Sequence, residues 1–360
     1  MKHLATAALV LAGLGTHATT ATAQPATQDS TAAMGSLTVP LPVLFYTPET
    51  KLGGGVVLLH SRRATGALEQ RPSAFAAQAL YTAEGQTMLS TSLEIYTPAN
   101  RHHFSGGVSY SRYPTAFWGI GDRTPAEAEE RYTSRATEVE VELRRQIQPG
   151  LYIGASATTS RVQILQVAEG GLLDGTEVVG RTGGWGWGGG VSVAHDTRDN
   201  VNAPHSGTFA RATANRFGGE YSFSRYRVDL RHYFEFGPGV LAAQGVATVT
   251  DGRVPFYRLP SIGGQNEMRG YQEGRYRDQH ALSTQVEYRA PVWRRLGAAA
   301  FLSTGAVAPK LGDFGSSDVK LAGGWGIRYL LSRSEGLNVR VDFGYGKGSS
   351  GTYITLGEAF

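Results

Sequence analysis

The stretch Arg225-Tyr226-Arg227-Val228-Asp229-Leu230-Arg231-His232-Tyr233-Phe234-Glu235-Phe236 alternates at every second residue. Tyr226, Val228, Leu230, Phe234 and Phe236 fall on one face, and Arg225, Arg227, Asp229, Arg231 and Glu235 on the other. A period of two marks a strand that lies between two different environments. Val139, Val141 and Leu143 oppose Glu138, Glu140, Glu142 and Arg144 in the same way, and Val339, Val341, Phe343 and Tyr345 oppose Asn338, Arg340 and Asp342. Many such runs reach about 10 residues, the length a tilted strand needs to cross a bilayer. A soluble sandwich also alternates, but with shorter strands whose polar face meets bulk water.

Candidate strands begin near Val39, Leu52, Ser73, Gln86, Arg101, Arg131, Leu151, Gly183, Ser206, Tyr221, Gly239, Ala281, Arg294, Val319, Gly336 and Gly351. The expected fold is therefore all-β, a transmembrane antiparallel β-barrel of about 16 strands, an even number that puts both chain ends on the periplasmic side. Fourteen strands is the alternative closure. Short turns at Thr97 to Asn100, Gln148 to Gly150, Gly237 to Gly239 and Ser334 to Gly336 contrast with longer connections at Tyr113 to Glu130, Gln166 to Thr182, Asp251 to His280 and Val307 to Asp318. Short periplasmic turns and long outer loops are the usual asymmetry of such barrels. The first strand is the weakest, because Pro40 and Pro42 suit only a strand edge.

The N-terminus reads as a cleavable secretory signal over residues 1–23. Lys2 and His3 lead an apolar run from Leu4 to Leu14, and Ala21-Thr22-Ala23 forms a small-residue cleavage site before Gln24. That run is shorter than the roughly 20 residues a spanning helix needs. Residues 24–37, rich in Thr, Ala and Ser, read as a flexible periplasmic lead-in, and residues 38–360 as the barrel. No other segment is a continuous apolar stretch of spanning length, and the mean hydropathy is -0.22. The 48 glycines and 17 tyrosines suit tight turns and aromatic girdles. Cysteine is absent, so no disulfide supports the fold. Taking Lys2 off the formal charge of +4 leaves +3, too small a balance, and too scattered, to indicate nucleic acid.

The most informative segment is Ile262-Gly263-Gly264-Gln265-Asn266-Glu267-Met268-Arg269-Gly270-Tyr271, in the longest expected outer loop, leading to the strand Thr284-Gln285-Val286-Glu287-Tyr288-Arg289. It resembles the sixth-loop signature of the BamA/TamA superfamily of outer-membrane assembly and transport barrels. Asp196-Thr197-Arg198-Asp199 with Pro204 and Gly207, Phe117-Trp118-Gly119-Ile120-Gly121, Tyr46-Thr47-Pro48-Glu49 and the ending Tyr353 to Phe360 resemble other segments of that family, in order along the chain. The resemblance implies a long sixth outer loop folded into the lumen, with Arg269, Gly270 and Tyr271 at its tip and the arginine paired to acidic groups of the inner wall. An arginine in a confined lumen favours a carboxylate, and glycine permits the tight turn. The family's usual partner sits in a Phe-x-Asp-x-Gly pattern, but Phe301-Leu302-Ser303-Thr304-Gly305 places the neutral Ser303 there. Glu287 or Asp342 is expected to take its place. Tyr353, Leu356 and Phe360 are expected to form a C-terminal assembly signal read by the barrel assembly machinery during biogenesis. Family members that fold or secrete substrates carry periplasmic POTRA domains, for which this sequence leaves no room, so it resembles a short form lacking them.

The sequence does not point to an enzyme. It has no Gly-x-Ser-x-Gly elbow, Walker loop or His-Glu-x-x-His helix. His102 and His103 are adjacent, so on a strand they face opposite sides and cannot share one metal ion, and His195 is likewise turned away from Asp196. No catalytic residue, metal or cofactor is expected. The rows of Glu and Arg read as the lining of a mixed-charge lumen. The expected function is an assembly or transport barrel for protein or lipid in the outer membrane of a Gram-negative bacterium, with a lateral seam between first and last strands. The alternatives are a passive pore, or an interaction barrel that self-associates or serves a separate periplasmic partner. Outer-membrane lipids are the expected surroundings.

Overall fold

The computed structural model describes residues 36–62, 73–175, 177–315, 319–332 and 336–360. The expected signal over residues 1–23 and most of the expected lead-in lie outside the described residues, as do Ser334 and Glu335 of one expected turn. The chain forms β1 (Ser36–Thr47), β2 (Lys51–Arg62), β3 (Ser73–Thr82), β4 (Thr87–Tyr96), β5 (His102–Phe117), β6 (Glu130–Gln148), β7 (Leu151–Gln166), β8 (Gly183–Asp196) and β9 (Gly207–Gly219). It continues with β10 (Phe223–Phe236), β11 (Gly239–Gly252), β12 (Ser261–Ile262), the short helix α1 (Gly264–Glu267), β13 (Tyr276–Arg277) and β14 (His280–Trp293). The last four are β15 (Leu296–Ala308), β16 (Lys320–Ser332), β17 (Leu337–Gly346) and β18 (Ser349–Leu356).

Every strand except β12 and β13 joins one closed antiparallel barrel in sequence order, with β18 returning to β1. Closure uses sixteen strands, so the fourteen-stranded alternative is wrong. β1 begins at Ser36, inside the stretch expected as lead-in. β12 and β13 make a separate hairpin within the connection from β11 to β14.

Alternation fixes which way each strand faces, because a slip of one residue would exchange every inward and outward side chain. On β10, Arg225, Asp229 and Tyr233 are buried inside while Tyr226, Val228, Leu230, Phe234 and Phe236 are exposed outside. On β17, Asn338, Arg340 and Asp342 turn inward. The outward apolar rows form the surface that meets lipid.

The rim opposite the chain ends carries the long connections 118–129, 167–182, 253–279 and 309–319, while the other rim is crossed by tight turns at 149–150, 237–238 and 294–295. Among the described connections on the turn side, 197–206 is longer. Asp199 shapes it by accepting the backbone N–H groups of Asn200, His205 and Ser206. On the loop side, Phe117, Tyr132, Leu173, Phe223, Val254, Phe256 and Leu259 pack into one apolar cap. Phe256 is its centre: it is fully buried and meets Phe117 edge-on at 5.1 Å and Tyr132 at 5.3 Å. Glu130 accepts the Leu173 N–H and pins the loop 167–182 beneath it.

The seam between β1 and β18 differs from the rest of the wall. β1 pairs with β2 along its whole length, from Ser36 opposite Arg62 to Thr47 opposite Lys51. Against β18, among the described residues, its register holds only at Tyr46 opposite Ile354. Pro40 and Pro42 lie two apart, so the donors they lack fall along the same edge of β1.

Removing the Phe256 ring takes away the cap's central contact. Phe256→Ala should destabilise the loop cap by about 3 kcal/mol. The check is limited trypsin digestion of the folded barrel, in which new cleavage at Arg253 or Arg275 is expected, with the strands still resisting.

Candidate functional site

The connection between β11 and β14 does not stay on the rim. Its middle, Gly263 to Tyr271, enters the barrel and lies against β14 to β18. Backbone conformation makes the turn: Gly263, Gly264 and Gly270 all adopt positive φ, and the Gly264 N–H donates to the Tyr271 carbonyl at 2.9 Å. Gly270 also permits close approach, since a Cβ there would stand 2.8 Å from the Tyr345 backbone. Gly344 reciprocates, because its own Cβ would meet the Gly270 nitrogen at 2.6 Å. Two glycines, one on the arm and one on β17, let the backbones touch.

Arg269 is completely buried at this contact. One guanidinium nitrogen donates to Asp342 at 2.6 Å, and another donates to Glu287 and, more weakly, to Gln285 at 3.4 Å. The guanidinium plane lies 3.6 Å from the centre of the Phe301 ring, which adds a cation–π contact. Ser303 donates instead to the Ala322 carbonyl. Both carboxylates named from the sequence therefore reach Arg269, one from β14 and one from β17.

Those carboxylates belong to a larger network. Glu287 also pairs with Arg289 and Arg328, Asp342 with Arg328 and Arg340, and Glu358 with Arg289 and Arg328. Four arginines and three carboxylates are thus interlocked, leaving one positive charge in excess. Burying one ion pair rarely stabilises a fold, because desolvation offsets attraction; removing one partner is what costs most. Sequence reading missed Arg289, Arg328, Arg340 and Glu358 as members. For the three arginines the signal was an inward strand parity, like that of Glu287 and Asp342, but parity does not say which residues of separate strands meet across the lumen; Glu358, past the end of β18, had no such signal.

Tyr271 and Tyr353 complete the clamp. The Gly270 N–H donates to the Tyr353 hydroxyl at 3.1 Å, and the Lys347 N–H to the Tyr271 hydroxyl at 2.9 Å. Burial pushes the Tyr271 phenol above its usual range, against the opposing pull of the Lys347 N–H, so it stays neutral at physiological pH. Arg227 of β10 holds Glu267 at 2.6 Å, and Arg340 reaches the Gln265 carbonyl and the Asn266 side chain, fixing the arm from two sides. On the rim, Gly121 donates to the Arg277 carbonyl, and Arg275 donates to Thr124, joining the sixth loop to the third.

Of the expected C-terminal signal, Tyr353 faces the lumen and Leu356, at the end of β18, pairs with Val339 of β17. Phe360 packs with Tyr233, Val240 and Ala242, its ring under the Arg289 guanidinium and its carbonyl accepting from it. The segment after β18 thus crosses the turn-side mouth to β10 and β11. Toward the opposite wall, Glu138 with Arg258, and Arg211, line a cavity of about 440 Å³, and Arg211 and Ser192 donate to Glu142. His103 points inward beside Glu94 and stacks on Tyr96, while its neighbour His102 lies on the other face.

The family model of the Omp85 superfamily domain matches residues 71–360. A search of curated proteins gave no match. Among solved structures, BamA from Haemophilus ducreyi lacking POTRA domains 1-3 superposes with a TM-score of 0.62 at 12% identity, covering 90% of this chain and 70% of that one. CdiB from Escherichia coli gives 0.59 at 10% identity, covering 91% and 64%. CdiB from Acinetobacter baumannii gives 0.56 at 11%, covering 89% and 59%. The chain therefore spans less than two thirds of each CdiB chain. At such identities the likeness is one of fold.

The fork geometry at Arg269 makes a definite demand on its replacement. Arg269→Lys keeps the charge but cannot reach two carboxylates at once, and Asp342→Asn leaves three arginines short of an anion. The loss should be about 3 kcal/mol for Asp342→Asn and smaller for Arg269→Lys. The temperature at which the purified barrel loses its compact mobility on unheated gels reads this order.

Proposed function

The chain belongs to the Omp85 superfamily, and from that premise we propose that it is an outer-membrane assembly or transport barrel whose β1–β18 seam opens while the loop-six arm keeps the lumen shut. The observation that carries this reading is the seam. Elsewhere neighbouring strands of the wall pair along most of their length, but between β1 and β18 the described residues give a paired register only at Tyr46 and Ile354. A sparsely paired strand edge is a template for another strand, and Pro40 and Pro42, which remove two donors from β1, suit weak pairing of that strand. The substrates that fit are an unfolded polypeptide able to add a strand, or a lipid entering sideways. The seam does not choose between them.

The arm explains why opening would be lateral. Arg269, Tyr271 and Tyr353 hold it against the inner wall, and the apolar cap covers the outer mouth. Both features argue against a steady pore. The cleavable signal over residues 1–23 is part of this proposal, since it would deliver the chain to the periplasm. The assembly machinery would read Tyr353, Leu356 and Phe360 before folding turns Tyr353 and Phe360 inward. A separate periplasmic protein that captures substrate is a further part of the reading.

The test uses a chain that has no cysteine of its own. Tyr46→Cys with Ile354→Cys places two thiols at opposed positions of an antiparallel pair, within disulfide reach. The oxidised barrel should lose activity in a proteoliposome assembly or translocation assay and regain it on reduction. Equal activity in both states would falsify the gate. In planar bilayers, the wild type should show little steady conductance and Arg269→Ala more; a large steady conductance in the wild type would favour the pore.

A further inference from the structure

Outside the barrel, the outward rows of β5 to β7 break from apolar to cationic toward the loop side. Val108 and Tyr110 give way to Arg112 on β5, and Val141, Val139 and Thr137 give way to Arg135 on β6. On β7 the same change comes at Arg161. Arg112 stands directly opposite Arg135 in the register, and Arg161 lies diagonal to Arg135, two residues from its partner Gln163. Directly opposed side chains have Cβ atoms about 5 Å apart and diagonal ones about 7 Å, and like charges so placed are destabilising. None of the three makes a hydrogen bond or ion pair among the described residues. Nearby Arg131 does, with Glu84 at 2.9 Å.

Their height is set by their neighbours. Tyr110 precedes Arg112 on the same face, and Trp185 of β8 lies opposite Arg161. Aromatic side chains of this kind mark the level where hydrocarbon meets headgroups. The loop-side rim is the external one when the chain ends lie in the periplasm, so the arginines stand at the outer leaflet. Below Arg161 the outward residues of β7 are small: Thr159, Ala157 and Ala155. Val139 and Val141 on β6 and Trp187 on β8 rise on either side, forming a shallow apolar trough that leads from the cations toward the bilayer centre.

We propose that Arg112, Arg135 and Arg161 form a binding site for a phosphorylated glycolipid of the outer leaflet, its phosphates on the guanidinium groups and an acyl chain along the β7 trough. Guanidinium forks pair well with phosphate oxygens. The lipid anion supplies the counter-charge that the protein does not, and relieves the repulsion between opposed arginines. The inference rests on the outer-membrane placement of the barrel and is independent of the seam.

The test measures binding of diphosphoryl lipid A to the detergent-purified barrel by native mass spectrometry, without divalent cations. The variant R112Q/R135Q/R161Q should bind at least tenfold more weakly, while R112K/R135K/R161K, which keeps the charge and loses the forks, should fall between it and wild type. Unheated gel mobility checks that each variant is folded, and the seam-locked Tyr46→Cys/Ile354→Cys barrel should bind as wild type does. Unchanged affinity in the folded glutamine variant would overturn the proposal. So would equally tight binding of the same lipid stripped of its phosphates, or displacement of the lipid by equimolar inorganic phosphate, which would reduce the patch to a plain anion site.

Discussion

A guanidinium that loses all its water must find fixed anions, and Arg269 is such a group. Its position cannot be satisfied by one strand: Glu287 comes from β14 and Asp342 from β17, and both reach it only when the wall between them is in register. A slip of one residue in β17 would turn Asp342 toward lipid and leave the arginine with half its partners. The path of the sixth loop, the register of β14 to β17 and the close contact at Gly270 and Gly344 are therefore one constraint expressed in three places.

The network also divides the lumen. Toward β14 to β18, the arm fills the space with interlocked charges and tyrosine hydroxyls. Toward β5 to β10, it leaves a cavity lined by Glu138 and by Arg211, Arg225 and Arg258. The sparse seam adjoins the filled side. The arm is held by β14 and β17 and by Tyr353 of β18. Just past its tip the Glu273 N–H donates to Glu49 in the β1–β2 turn, so the sixth loop touches both sides of the seam at its loop-side end, while little backbone pairing joins β1 to β18.

Much of this architecture is legible in the sequence, because a barrel writes its inside and outside into alternate residues. The strand count, the strand order and the loop side follow from period two and from where the turns fall. Arg269, Glu287 and Asp342 were open to inference for another reason: the family resemblance put the arginine at the tip of a loop folded into the lumen, where a cation favours a carboxylate. Arg328 was not, since nothing in Trp325 to Tyr329 tells it apart from any other inward arginine until the arm is in place. The inward turn after β18 was equally hidden. Phe360 reads in the sequence as the end of an assembly signal, and only the pocket of Tyr233, Val240 and Ala242, far away in sequence, draws it inside.

The chain order of the Arg269 partners has a kinetic meaning. Glu287 follows the arginine closely, but Arg328, Asp342 and Tyr353 arrive with the last three strands. Until those strands are laid down, the arm holds a cation with one carboxylate and no hydroxyl to receive the Gly270 N–H. Closing that long loop early costs entropy and gains little. The arm should therefore dock last, and a barrel caught before its final strands would still have an open interior.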